Sequence, residues 1–132
     1  FVSYTVPGAI FPLLVSANDG SSNNRIEVGY LTSNVAGFEV TTGGVAQVGM
    51  YPSTVTSTRR NAGAYQVNNF AISTNGGAVS TDTAGTVPVV DRPRIGERTS
   101  VLGGVNCING YIQRIAYYPR RLTNAELQGI TS

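Results

Sequence analysis

A chain of 132 residues is one domain, long enough to bury about two-thirds of its unfolded surface in a single core. It carries 16 glycines, 41% hydrophobic and only 12% charged residues, with a net charge of +2 from nine arginines and no lysine. Charge that sparse and scattered excludes the clustered basic face of a nucleic-acid binder. The absence of His and Lys removes the usual general base, the usual zinc ligand and the Ser-His and Ser-Lys nucleophile systems.

The chain opens at Phe1 without a Met and already in a strand-like run, as expected of a processed product or a piece of a longer protein. Residues 1–6 alternate, with Val2, Tyr4 and Val6 on one face, and Pro7-Gly8 makes a turn. Residues 9–16 form a second apolar run. Pro12 inside it lacks a ladder N–H, so this segment is expected to be an edge strand or to carry an irregularity. Residues 18–24, Asn18-Asp19-Gly20 and a Ser/Asn cluster, form a loop. Residues 25–31 place Ile26, Val28 and Tyr30 on one side and Arg25 and Glu27 on the other, the pattern of a half-solvated antiparallel strand.

Residues 38–42 and 45–50 flank Gly43-Gly44, which suits a two-residue hairpin turn, and Tyr51-Pro52 closes the second arm. Residues 53–58 are ambiguous; residues 59–66 form a strand of small residues around Ala62 and Ala64. Residues 70–74 and 77–81 flank Asn75-Gly76, the clearest hairpin in the chain, because Asn-Gly accepts positive φ at both turn positions. Residues 87–95 form a strand interrupted by Pro88 and Pro93, which argues for an edge or a bend. Residues 96–106 are a loop leading to Cys107, a lone small residue that excludes an internal disulfide and reads as buried beside Ile108.

The sequence pattern is organised around its last two dozen residues, 109–132. Ile112, Ile115, Tyr117 and Tyr118 suit a pleated, half-buried surface, and Pro119 ends that strand. The step from Ile112 to Ile115 breaks alternation. Either both faces are covered or a bulge near Gln113 and Arg114 shifts the facing, and the bulge is preferred. Thr123 and Glu126 form a capping box, Leu122 and Leu127 a hydrophobic staple, and Gly129 suits the stop of a helix of one to two turns. Such a helix is unstable alone, so Leu122, Leu127 and Ile130 must dock on a sheet. Nine or ten short strands and one terminal helix give an all-β, antiparallel two-sheet sandwich.

The seven carboxylates are spread one per element, and no two lie close on one strand face. A glycosidase needs two facing across a sugar at about 5 to 9.5 Å, which residues distant in sequence could still supply. The Asn18-Asp19-Gly20 loop with Asn23 and Asn24 is the one oxygen-rich cluster, and ordinary turn chemistry is preferred there over a calcium site. Arg59-Arg60 and Arg120-Arg121 could hold carboxylates or acidic sugars bidentately, although solvated surface is the preferred reading. Tyr rings can stack on sugar faces, while Tyr4, Tyr30 and Tyr117 read as core. Neither a signal peptide nor a membrane span is recognisable.

The run from Ile108 through Asn-Gly-Tyr-Ile-Gln-Arg-Ile-Ala-Tyr-Tyr-Pro-Arg-Arg-Leu-Thr-Asn-Ala-Glu-Leu-Gln resembles the closing strand and helix of the concanavalin A-like, laminin-G-like jelly-roll modules of tailed-bacteriophage virion proteins. Ala64-Tyr65, Asn69-Phe70-Ala71, Asn75-Gly76-Gly77-Ala78-Val79 and Thr81-Asp82-Thr83 add a second match, and residues 16–26 a softer third. The resemblance implies a jelly roll on a phage fibre, tailspike or appendage, presumed in that family to bind host glycans. The calcium site of some laminin-G-like relatives is not clearly matched, and the Glu-x-Asp-x-x-Glu motif of the related glucanases is absent.

The expectation is therefore a single domain, 1–132, of the virion surface, assembled in the host cytoplasm, without enzymatic activity, cofactor or metal. Its expected partners are a host cell-surface glycan, other virion proteins and further copies of itself, a trimer among the options, with neither nucleic acid nor membrane insertion. The alternative is a capsid-decoration or tail-spacer protein. Asn23, Asn24, Arg98 and Asn106 are the expected ligand contacts, because they fall on loops and loops carry binding in such sandwiches.

Overall fold

The computed structural model describes residues 1–5, 13–32, 35–54, 59–96 and 110–132. They form β1 (Val2–Thr5), β2 (Leu13–Asn18), β3 (Arg25–Thr32), β4 (Val35–Thr42), β5 (Val45–Thr54), β6 (Arg59–Ala64), β7 (Phe70–Thr74), β8 (Ser80–Asp82), β9 (Arg92–Ile95), β10 (Tyr111–Ile115) and α1 (Asn124–Thr131). The Pro7-Gly8 turn, Pro12, Arg98, Asn106 and Cys107 lie outside the described residues. Two five-stranded antiparallel sheets result, ordered β10-β1-β6-β7-β8 and β5-β4-β3-β2-β9. This is the all-β two-sheet sandwich with a C-terminal helix that the pattern of short strands predicts.

The core follows from strand alternation. Ile26, Phe38, Val40, Val48 and Met50 of the second sheet meet Phe70 and Ile72 of the first. Phe70 and Ile72 are wholly buried, each contributing roughly 1.5–3 kcal/mol on removal from water. Gly63 faces the same interior. A Cβ there would stand 2.7 Å from Phe38 and 2.8 Å from Val28, so β6 approaches the opposite sheet as closely as it does only because this position has no side chain.

The opposite face of β6 and β7 is covered by α1. Ala62, Ala64 and Ala71 pack there against Leu122 and Leu127. The capping box is formed: the Glu126 amide donates to Thr123 Oγ1 at 3.2 Å, and the Thr123 amide donates to Glu126 Oε2 at 2.7 Å. The helix runs past Gly129 to Thr131 rather than stopping at it. Its last turn is anchored from outside, since Thr131 Oγ1 lies 3.0 Å from Ser73 Oγ and accepts the Gly76 amide at 3.1 Å. That tertiary anchor outweighs the glycine's weak preference.

Both glycine-containing turns behave as their residues require, with φ of 58° and 80° at Gly43 and Gly44, and 49° and 68° at Asn75 and Gly76. The second hairpin is shorter than expected, because β8 begins only at Ser80. The Gly77 carbonyl is taken instead by Ser73 Oγ and Gln128 Nε2, each at 3.2 Å. In β10 the bulge falls where it was expected: Ser3 pairs with Arg114 and Tyr4 with Ile112, which skips Gln113. That strand ends at Ile115 rather than at Pro119.

Of the two alternatives expected for the second apolar run, the irregularity is the one found: β2 is flanked by β3 and β9 and so is no edge, but its register with β3 slips between Leu13 and Val15. One further expectation is corrected. Glu27 is wholly buried despite its polar position on β3. β9 covers only Arg92–Ile95 of the strand expected over 87–95, and it is an edge strand, as are β5, β8 and β10 among the described residues.

Gly63→Ala should lower stability by about 1–3 kcal/mol through overpacking, read as a lower urea midpoint. An unchanged midpoint would show that the sheets can part freely. The Glu126 carboxyl is held down from 4.5 to about 2, chiefly by Arg120 and then by the Thr123 amide and hydroxyl. Because the folded value lies below the unfolded one, this stabilisation is complete above about pH 4.5 and is lost as the pH falls towards 2. Glu126→Gln should therefore melt below the parent at neutral pH and converge with it in acid, as followed by circular dichroism. Parallel melting curves throughout would contradict the linkage.

Candidate functional site

Of the expected ligand residues, Asn23 and Asn24 are described, and they serve the loop that holds them. Asp19 Oδ1 accepts from the Ser21 amide and hydroxyl at 2.9 and 2.7 Å, and Asp19 Oδ2 accepts from Asn24 Nδ2 at 2.7 Å. Asn24 Oδ1 accepts the Gly43 amide at 2.8 Å, while the Asn23 carbonyl accepts the Gly44 amide at 2.9 Å. Asn24 thus ties the β2–β3 loop to the β4–β5 turn with both ends of its amide. The side chain of Asn23 is exposed. Among the described residues, no three His, Cys, Asp or Glu side chains are grouped as a metal site requires.

The outer face of the second sheet carries a polar row that the sequence pattern did not reveal. Ser16 pairs with Arg94 and with Glu27, Glu27 with Glu39, and Glu39 with Gly49. Two carboxylates therefore stand opposite each other on neighbouring strands, an arrangement that costs stability unless each is compensated. Arg25 Nε meets Glu27 Oε2 at 3.0 Å. The Tyr51 hydroxyl donates to Glu39 Oε1, its ring lying in the space left by Gly49. The register that brings the carboxylates together passes through a slip between Tyr30 and Thr32.

A concave feature lies on the other side of the molecule. After β10, residues 116–123 cross the first sheet to reach α1, and beneath them is a pocket of about 150 Å³. Alternation explains its floor, since Ala62 and Ala64 point outward and are too small to fill the space under the crossing segment. Leu127 and Ile130 complete that floor; Phe1, Tyr65, Tyr117 and Tyr118 are its aromatic walls, with Arg120 and Arg121 beside them. Burial first, and then the adjacent Tyr117 phenol with which it is hydrogen-bonded, push the Tyr65 hydroxyl above its ordinary range. Arg114 sits 5.6 Å from the centre of the Phe1 ring, behind that wall.

Tyr117 is 76% exposed rather than part of the core. The Tyr117-Tyr118 pair held the signal: adjacent residues of an extended segment point to opposite sides, so one ring had to face outward. Tyr4 and Tyr30 have side chains outside the described set. The Arg59-Arg60 pair is split by the same alternation, with Arg59 wholly buried and Arg60 exposed, so the two cannot grip one carboxylate together. No protein-family model, curated protein or solved structure matches this chain.

Asn24→Ala should raise the Asp19 carboxyl from about 2 towards 3.8, because the Asn24 amide is the largest cause of its depression. Carbon-detected NMR titration checks this, and an unmoved value would assign the effect to Ser21.

Proposed function

We propose that the domain is a non-enzymatic surface module of a bacteriophage virion that binds a host cell-surface glycan. The observation that carries the binding reading is the pocket, whose small apolar floor and tyrosine walls offer a ring-shaped ligand stacking surfaces and hydroxyl partners. Its size suits one sugar ring. The virion setting rests on the resemblance alone, that of the closing strand and helix together with the two upstream segments. The non-enzymatic reading is supported by the lack of His and Lys and by the internal engagement of Glu27 with Arg25 and of Glu39 with Tyr51.

A second reading, a capsid-decoration or tail-spacer protein, is favoured by exposed apolar side chains on or near the edge strands. Tyr111 is 80% exposed, Val89 88% and Ile95 61%, as surfaces that meet other virion proteins would be.

A glycan array probed with the purified domain and its Tyr117→Ala variant separates the two. The expected result is binding of host surface glycans that falls at least several-fold in the variant, with the melting temperature little changed because the ring is exposed. Absence of binding to host lipopolysaccharide and capsule alike would discard the glycan reading in favour of decoration.

A further inference from the structure

The geometry points to a carboxylate-bearing sugar, such as a uronic acid unit, as the occupant of the pocket, with Arg121 as its cation. This rests on the glycan reading above and names its ligand class. The two adjacent arginines beside the pocket differ in what they have left to offer. Arg120 grips Glu126 with both terminal nitrogens, at 3.1 and 2.6 Å, so its charge is already matched. Among the described residues Arg121 meets no carboxylate. Its Nη1 donates to the Leu122 carbonyl at 2.6 Å and its Nη2 to Asn124 Oδ1 at 3.0 Å, both neutral acceptors.

Those two bonds hold the guanidinium in place while leaving its charge unbalanced. Of the five N–H groups of an arginine, two are used here, and Nε has no hydrogen-bond partner among the described residues. A guanidinium positioned in advance, half-buried and short of an anion, binds a carboxylate with less ordering cost than a free side chain does. The neighbouring tyrosines supply the flat faces and hydroxyl partners that a pyranose ring uses, so charge and ring recognition meet in one recess.

The test uses uronic-acid oligosaccharides and the same oligosaccharides with their carboxyl groups reduced to alcohols, titrated calorimetrically against the parent chain, Arg121→Gln and Arg120→Gln. The parent should prefer the acidic form by about tenfold or more. Arg121→Gln should abolish that preference, and Arg120→Gln should keep it. Equal affinity of the parent for both forms would overturn the acidic assignment while leaving glycan binding intact. A preference that survives in Arg121→Gln would overturn the role of Arg121. Binding of neither form, nor of any neutral glycan on the array, would remove the glycan reading itself. Should Arg121→Gln fail to fold, Arg121→Lys, which keeps the charge without the fork, takes its place and should weaken the preference.

Discussion

The structure depends on the alternation of small residues along β6. This strand lies third in its sheet, with the opposing sheet on one side and the helix on the other. Towards the interior, Gly63 lets the backbone come within van der Waals reach of Phe38 and Val28. Towards the helix, Ala62 and Ala64 give Leu122 and Leu127 a shallow seat. A bulky residue on the first face would part the sheets, and one on the second would lift the crossing segment. The methyl groups that admit the helix also leave the recess beside it, so core closure and pocket formation arise from one run of residues.

Local chemistry was legible in the sequence wherever it required a specific residue type. Gly43-Gly44 and Asn75-Gly76 announce their turns because few other residues tolerate positive φ, Thr123 with Glu126 announces the helix start, and the irregular spacing in β10 announces the bulge. Period-two patterning also separates the two faces of each strand. What it cannot reveal is which layer lies over a given face. Arg59 and Glu27 occupy polar-looking positions and are buried, whereas Tyr117 looks apolar and is exposed. The pairing of Glu27 with Glu39 was hidden for another reason: it depends on a register slip between Tyr30 and Thr32, near the end of β3.

The arginine-rich, lysine-free composition gains meaning from these partnerships. Arg25 neutralises a buried carboxylate, Arg92 meets Asp91 at 3.3 Å, and Arg120 closes the helix cap with Glu126. Planar forks suit such roles better than a point charge would. The net charge is therefore a poor guide to where an anion would be attracted. The relevant count is of guanidiniums fixed in position without an acidic neighbour, and beside the pocket Arg121 is one.

Among the described residues the sandwich has four edge strands, blunted in three ways. β5 contains Pro52, β9 contains Pro93, β8 is only three residues long, and β10 is kinked by its extra residue at Gln113. Prolines, brevity and bulges all discourage another chain from extending a sheet by backbone pairing. Many copies could thus be crowded together on one surface without zipping into fibrils, and any ordered assembly would have to be specified by side chains.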